Sequence, residues 1–194
     1  MPRWEHGSEE RLKQAAMALF EEQGFQNTSA VQIAERARVT TRTFFRYFPD
    51  KQAILFVDAE RLSAALVQKI LDATDVAEPL RAVVQALGGF DWLGLGSRES
   101  QRRRDAMIAS NSDLLERELI KQQQMADGFS GALQQRGVDP DSAELAARVG
   151  IEVFRTAYRQ WLAAEDDPEL ATMIEAAMSV LATIVLASRS TASN

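Results

Sequence analysis

The chain has 194 residues, 46% hydrophobic and 26% charged, with a net charge of -6; it can build a packed core and is too apolar for global disorder. It has no Cys and a single His, at position 6, which excludes disulfides and thiolate metal sites and argues against a His-based metal centre or a Ser-His-Asp triad. No apolar run reads as long enough to span a bilayer and no apolar signal region opens the chain, so the expectation is a soluble, cytoplasmic protein with no membrane partner.

Strand signals are nearly absent, and helical periodicity with cap residues divides the chain into about nine helices, an all-α fold. Ser8 is expected to cap the first helix, which buries Leu12, Ala15, Ala16, Leu19 and Phe20 and stops at Gly24. Thr28 or Ser29 caps a short second helix buried through Val31, Ile33, Ala34 and Ala37. Thr40 opens a third, to about Tyr47, which Pro49 ends because the residue before a proline disfavours the α region. Asp50 caps a long fourth helix to about Ala73. Pro79 starts a fifth that runs to Gly88 and Gly89, and Arg98–Ala109 is the sixth.

Asn111 or Ser112 caps a seventh helix, to about Arg136. Asp139-Pro140 and Asp167-Pro168 each pair an N-cap with a proline at the first helical position and open the last two. In the final helix Leu170, Ile174, Ala177, Leu181 and Ile184 form an apolar stripe, widened by Val180, Val185 and Leu186 as if to meet both the core and a partner. Three regions follow: a small N-terminal helical domain over 1–51, a larger helical domain over 52–189, and a tail over 190–194.

The acidic net charge is unevenly distributed. Residues 1–51 carry eight Lys/Arg and seven Asp/Glu, whereas the remainder carries fourteen and twenty-one. Within 36–51 there are five basic residues (Arg36, Arg38, Arg42, Arg46 and Lys51) against Asp50 alone. A basic face on an acidic body suits a protein that meets phosphate with one surface.

The basic segment lies on two short helices joined by a tight turn, the layout of a helix-turn-helix that sets its second helix in the major groove. Phe44 and Phe48 share a face that must pack inward. Thr41, Arg42, Phe45 and Arg46 then fall on other faces, where Arg can pair with guanine and Thr or Phe can touch a thymine methyl. Thr40 lies at the same helix start. Tyr47 can reach a phosphate, and Thr28, Ser29 and Lys51 sit near helix N-termini that favour one.

The run Ile33-Ala34-Glu35-Arg36-Ala37, Val39-Thr40, Thr43-Phe44-Phe45 and Tyr47-Phe48-Pro49-Asp50-Lys51 resembles the N-terminal domain of TetR-type transcriptional regulators. Gly24-Phe25 and Thr28 match as well. Arg38 stands where those proteins usually have glycine, and Phe45 where they usually have Tyr. The resemblance implies an all-α homodimer that binds double-stranded DNA at a palindromic operator. It also implies release by a small ligand held in a larger C-terminal domain, most relatives being repressors. Arg102-Arg103-Arg104 through Ser110-Asn111-Ser112, Leu114–Gln124 and Gly150–Trp161 are similar to members of the mycofactocin-regulator kind, which sense acyl-coenzyme A thioesters.

A small hydrophobic ligand would be lined by Trp92, Met107, Met125, Phe129, Phe154, Tyr158 and Trp161, with Arg103 for an anionic head. Each apolar member is more commonly ordinary core, and the Arg run is more commonly a solvated helix face. Gly94-Leu95-Gly96 lacks a preceding strand and a third glycine, so it is no dinucleotide fingerprint. No catalytic residue, metal or cofactor is expected. The alternative is a helical carrier or enzyme that keeps a helix-turn-helix only for packing.

Overall fold

The computed structural model describes residues 7–166 and 168–191; His6 and Asp167 lie outside them. Among the described residues there are ten α-helices, one 3-10 turn and no strand. They fall into two compact units, one up to Ala59 and the other from Glu60.

The first unit holds α1 (Ser8–Gln23), α2 (Ala30–Arg36), α3 (Thr41–Tyr47) and α4 (Ala53–Phe56). Its interior is made by Leu12, Ala16, Ile33, Phe44 and Phe48, all essentially without solvent contact. Ser8 does not cap α1. It is the first helical residue, is buried, and accepts from the Arg11 guanidinium at 3.2 Å, while Gly7 occupies the cap position. Asp50 does receive the Ala53 N–H at 2.7 Å.

The long fourth helix expected from Asp50 to Ala73 is two helices, α4 and α5 (Ala59–Leu71), which raises the count above nine. Val57 keeps helical angles (φ −58°, ψ −35°), and it and Asp58 fall out of the hydrogen-bonded ladder. Ile54, Leu55 and Phe56 are buried and belong to the first unit, so that unit ends after Ala59 rather than after Lys51.

The second unit consists of α5, α6 (Pro79–Gly88), α7 (Arg98–Ala109), α8 (Ser112–Gln135), α9 (Pro140–Ala163) and α10 (Leu170–Thr191), with the 3-10 turn Leu93–Leu95 before α7. Helix α9 is central, packed against α6, α8 and α10. Small residues bring the helices close: a Cβ at Gly150 would stand 2.6 Å from Val83 Cγ1, and one at Gly88 would stand 2.9 Å from Ile174 Cδ1. Leu66, Ile70, Val83, Leu87, Phe129 and Leu133 fill the interior. Each such side chain contributes about 1.5–3 kcal/mol relative to exposure.

Three features of the last helix differ from expectation. It begins at Leu170, and its first amides bond to the Glu169 carbonyl, so Pro168 precedes the helix rather than opening it. It extends to Thr191, into the stretch assigned to the tail. Leu170–Ala187 is also long and apolar enough, by length and composition, to cross a bilayer, contrary to the expectation that no run is. Ile174 is buried, but Val180, Ile184, Val185 and Leu186 are half exposed or more.

Candidate nucleic-acid interface

Helices α2 and α3 are set by side-chain caps. The Ser29 hydroxyl accepts from Gln32 N at 3.2 Å and Gln32 Oε1 accepts from Ser29 N at 2.8 Å, a reciprocal capping box. Ser29-x-x-Gln32 was the sequence signal for choosing Ser29 over Thr28. Thr40 caps α3 by accepting from Thr43 N at 3.1 Å. Phe48 ends α3 in an extended conformation (φ −131°, ψ 124°), as a residue before Pro49 should.

Phe44 and Phe48 pack their rings 5.8 Å apart and anchor α3. The opposite surface presents Arg42, Phe45 and Arg46, all exposed, with Thr41 partly so. Phe45 is 54% exposed although apolar, which an isolated domain gains nothing from. Arg46 lies over the Tyr47 ring at 4.9 Å and donates to its hydroxyl at 3.2 Å. Arg42 makes no hydrogen bond or ion pair among the described residues.

Thr28 and Lys51 are turned into the fold instead of outward. Thr28 is 2% exposed, and its hydroxyl donates to the Gly24 carbonyl at 2.9 Å. The Lys51 ammonium donates to the carbonyls of Phe25 (2.7 Å), Thr28 (2.7 Å) and Gln26 (3.3 Å) and sits over the Phe25 ring. All three of its donors are thereby engaged, and partial burial lowers its pKa. Lys51 ties the loop before α2 to the chain after α3. No local pattern announces a contact that spans more than twenty residues.

Arg36 is likewise engaged, in a two-pronged ion pair with Glu22 at 2.9 and 2.6 Å. That hydrogen bond holds the Glu22 carboxyl below its ordinary range and raises Arg36. The positive charge left on the surface is therefore narrower than the composition implied.

The residues expected to line a ligand pocket fall into three groups. Trp92, Phe154, Tyr158 and Trp161 form one continuous aromatic stack, with ring centroids 4.9 Å apart for Trp92–Phe154, 5.4 Å for Phe154–Tyr158 and 5.6 Å for Tyr158–Trp161. Phe129 is fully buried in the core, and Met125 packs against that core. Met107 and Arg103 lie apart on α7, Arg103 paired with Glu99 at 2.8 Å. Arg102 also pairs with Glu99, so much of the Arg run is a solvated, ion-paired face.

Sequence reading passed over Gln101, which is buried and holds the stack in place. Its amide donates to the carbonyls of Trp92 and Gly96, both at 2.7 Å, and its oxygen accepts from the Tyr158 hydroxyl. Burial pushes the Tyr158 phenol up to about 12. The two cavities described lie elsewhere. One of 270 Å³ lies between α8 and α9, beside Ser130, Gln134 and Arg148. A groove of 530 Å³ runs between α9 and α10, lined by Val149, Val153, Ala177, Val180, Leu181 and Ile184 among others.

Residues 12–57 match the family described as bacterial regulatory proteins of the tetR family, and residues 77–185 match the MftR C-terminal domain. The chain belongs to the TetR family of bacterial regulatory proteins. It is 42% identical over 65 residues to the HTH-type transcriptional regulator HbdR of Aromatoleum sp. (strain CIB), covering 32% of this chain and 28% of that one. It is 26% identical over 147 residues to the HTH-type transcriptional regulator TcmR of Streptomyces glaucescens, covering 74% of this chain and 61% of that one. The matched part is thus less than two thirds of the length of either curated relative. Among solved structures, Thermus thermophilus FadR, a TetR-family transcriptional repressor in complex with lauroyl-CoA, shares the fold with a TM-score of 0.50. It has 24% identity and the match covers 89% of this chain and 92% of that one.

Proposed function

We propose that the chain is a transcriptional repressor that binds a palindromic operator in double-stranded DNA as a homodimer and is released by a small hydrophobic ligand. The observation that carries this reading is α3: Phe44 and Phe48 fix it from beneath, while Thr41, Arg42, Phe45 and Arg46 stand outward. These are side chains able to read base edges in a major groove. Ser29, Thr40 and Tyr47 flank them toward the phosphates, and Thr28 and Lys51 serve by holding the loop and helices in register. Such a protein acts in the cytoplasm, where the DNA is.

One recognition helix covers too few base pairs for useful specificity, so two copies are needed. The exposed Val180, Ile184, Val185 and Leu186 and the groove between α9 and α10 supply an apolar surface for the same helices of a second copy. Leu181→Glu would set an unpaired charge in that seam and weaken both dimerisation and DNA binding.

The ligand assignment rests on the MftR-type C-terminal match and on the aromatic stack; an acyl-coenzyme A thioester is the first candidate. The rings of Trp92, Phe154, Tyr158 and Trp161 pack on one another, so a chain entering there must part them. Its binding would shift operator affinity by its differential affinity for the two dimer forms. The test is selection of an operator from a random duplex pool, followed by titration with long-chain acyl thioesters while tryptophan fluorescence and DNA affinity are followed together. The expected result is a two-fold symmetric site and a fall in affinity that Trp161→Ala blunts. Failure to enrich any duplex would defeat the repressor reading; an enriched operator that no thioester weakens would defeat only the ligand.

A further inference from the structure

The turn between α2 and α3 holds Arg38 at φ +56°, the only non-glycine residue with positive φ among the described residues. L residues avoid this region because Cβ crowds the carbonyl oxygen, and glycine enters it freely. The backbone of the turn is closed without help from the side chain: Arg38 N donates to Glu35 O at 3.0 Å and Val39 N to Ala34 O at 2.9 Å. The side chain itself is exposed and makes no hydrogen bond or ion pair among the described residues. A strained residue type thus stands where its side chain makes no hydrogen bond or ion pair with the described residues.

The neighbouring charges narrow what that side chain is for. Of the five basic residues in 36–51, Arg36 is paired with Glu22, Lys51 is bonded to three carbonyls, and Arg46 rests on Tyr47. Arg38 and Arg42 are the two with no partner among the described residues. Arg42 is on α3 itself. Arg38 is not on α3 but in the turn that leads into it, three residues before Thr41, and in the proposed docking the segment leading into a recognition helix meets the edge of the groove. The edge of a groove is sugar-phosphate backbone, and an unengaged guanidinium is the best side chain for a phosphate.

We propose that Arg38 is a DNA phosphate contact, one in each half-site, which fixes the position of α3 without reading a base. It rests on the DNA-binding reading above. The test uses the full chain, the selected operator and a random duplex, with wild type, Arg38→Gly and Arg38→Lys compared across salt. Arg38→Gly should fold with an unlowered melting temperature, because the strain is relieved. It should bind both duplexes more weakly, and its slope of log affinity against log salt should fall by about one per half-site. Over a rise from roughly 50 to roughly 200 mM salt, wild type should then lose about tenfold more affinity than the glycine variant. Arg38→Lys keeps the charge and should keep the slope.

A glycine variant with wild-type affinity and slope overturns the proposal, as does one whose base preference changes, since that would make Arg38 a reader of sequence. If wild type shows no salt-dependent binding to any duplex, the DNA-binding reading falls and takes this one with it. If wild type binds and the glycine variant is unchanged, only this one falls.

Discussion

The two units of this chain use their side chains in opposite ways. In the first, the interior is a few large residues under two short helices, and the side chains to which the proposed function assigns DNA are those left outside: Arg38, Arg42, Phe45 and Arg46. In the second, the surface combines ion-paired stretches with the exposed apolar face of α10, and the informative side chains are enclosed: the aromatic stack, Gln101 and the small residues at helix crossings. In the proposed function the first unit is a reading head, which needs only to hold a rigid shape, and the second a sensing domain, which must have an interior that something can change. The same kind of substitution should therefore report differently in each.

The largest contrast is expected from Phe44→Ala. Phe44 is fully buried beneath α3, and its removal should cost about 3–5 kcal/mol. Because the first unit is small, duplex binding should vanish along with stability; denaturant melts and duplex titration would check both. Retained DNA affinity in a destabilised protein would break the idea that this core exists to hold the reading surface.

In the second unit, Tyr158→Phe should cost about 1–3 kcal/mol by leaving the buried Gln101 oxygen without its donor. It also changes the pH dependence. The phenol is pushed up to about 12 by burial, above its ordinary value near 10. The stability this contributes is present below about pH 10 and is lost as pH rises through about 12, because the unfolded state gives up its proton first. Comparing alkaline melts of wild type and variant should show that part of the loss disappear in Tyr158→Phe.

Gly150→Ala should cost about 1–3 kcal/mol by overpacking, since the new Cβ would stand 2.6 Å from Val83 Cγ1. Val83→Ala added to it should recover part of the loss, which a double-mutant cycle measures. Positive coupling of this kind is expected at α6–α9 and nowhere around α3.

The smallest effects are at the caps. Ser29→Ala and Ser97→Ala each remove a hydroxyl that accepts a backbone N–H at 3.2 Å, and each should cost about 1 kcal/mol. Only the first should also weaken duplex binding, because only Ser29 fixes a helix of the reading head. Equal effects on DNA affinity would erase the distinction between the units.

What was legible in the sequence was local. Thr40 and Asp139 were read as caps because their partners lie three residues on, and both accept those amides. Phe44 and Phe48 were read as buried because they share one face of a single turn. Arg38 was noticed because it stands where a glycine is usual, and its positive φ explains why. The illegible parts were long-range or volumetric. Thr28 and Lys51 were assigned outward because nothing in their neighbourhood says that the carbonyls of Gly24, Phe25 and Thr28 will face them. Trp92, Phe154, Tyr158 and Trp161 could be named as apolar, but periodicity does not say that they stack ring on ring. The interruption at Val57 and Asp58 leaves no sequence mark, since neither residue is a helix breaker.

Arg98, at the start of α7, donates to the carbonyls of Trp161 (2.6 Å), Ala164 (2.7 Å) and Asp166 (3.1 Å) and lies over the Trp161 ring. Those carbonyls are where α9 runs out of its own amides and the chain bends toward α10. One side chain thus pins the first turn of one helix to the corner joining two others, as a bolt holds a strut to a frame. Helix α7 cannot slide along its axis without either pulling that corner with it or shearing three charge-assisted hydrogen bonds. Any push on α7 is delivered at the root of α10.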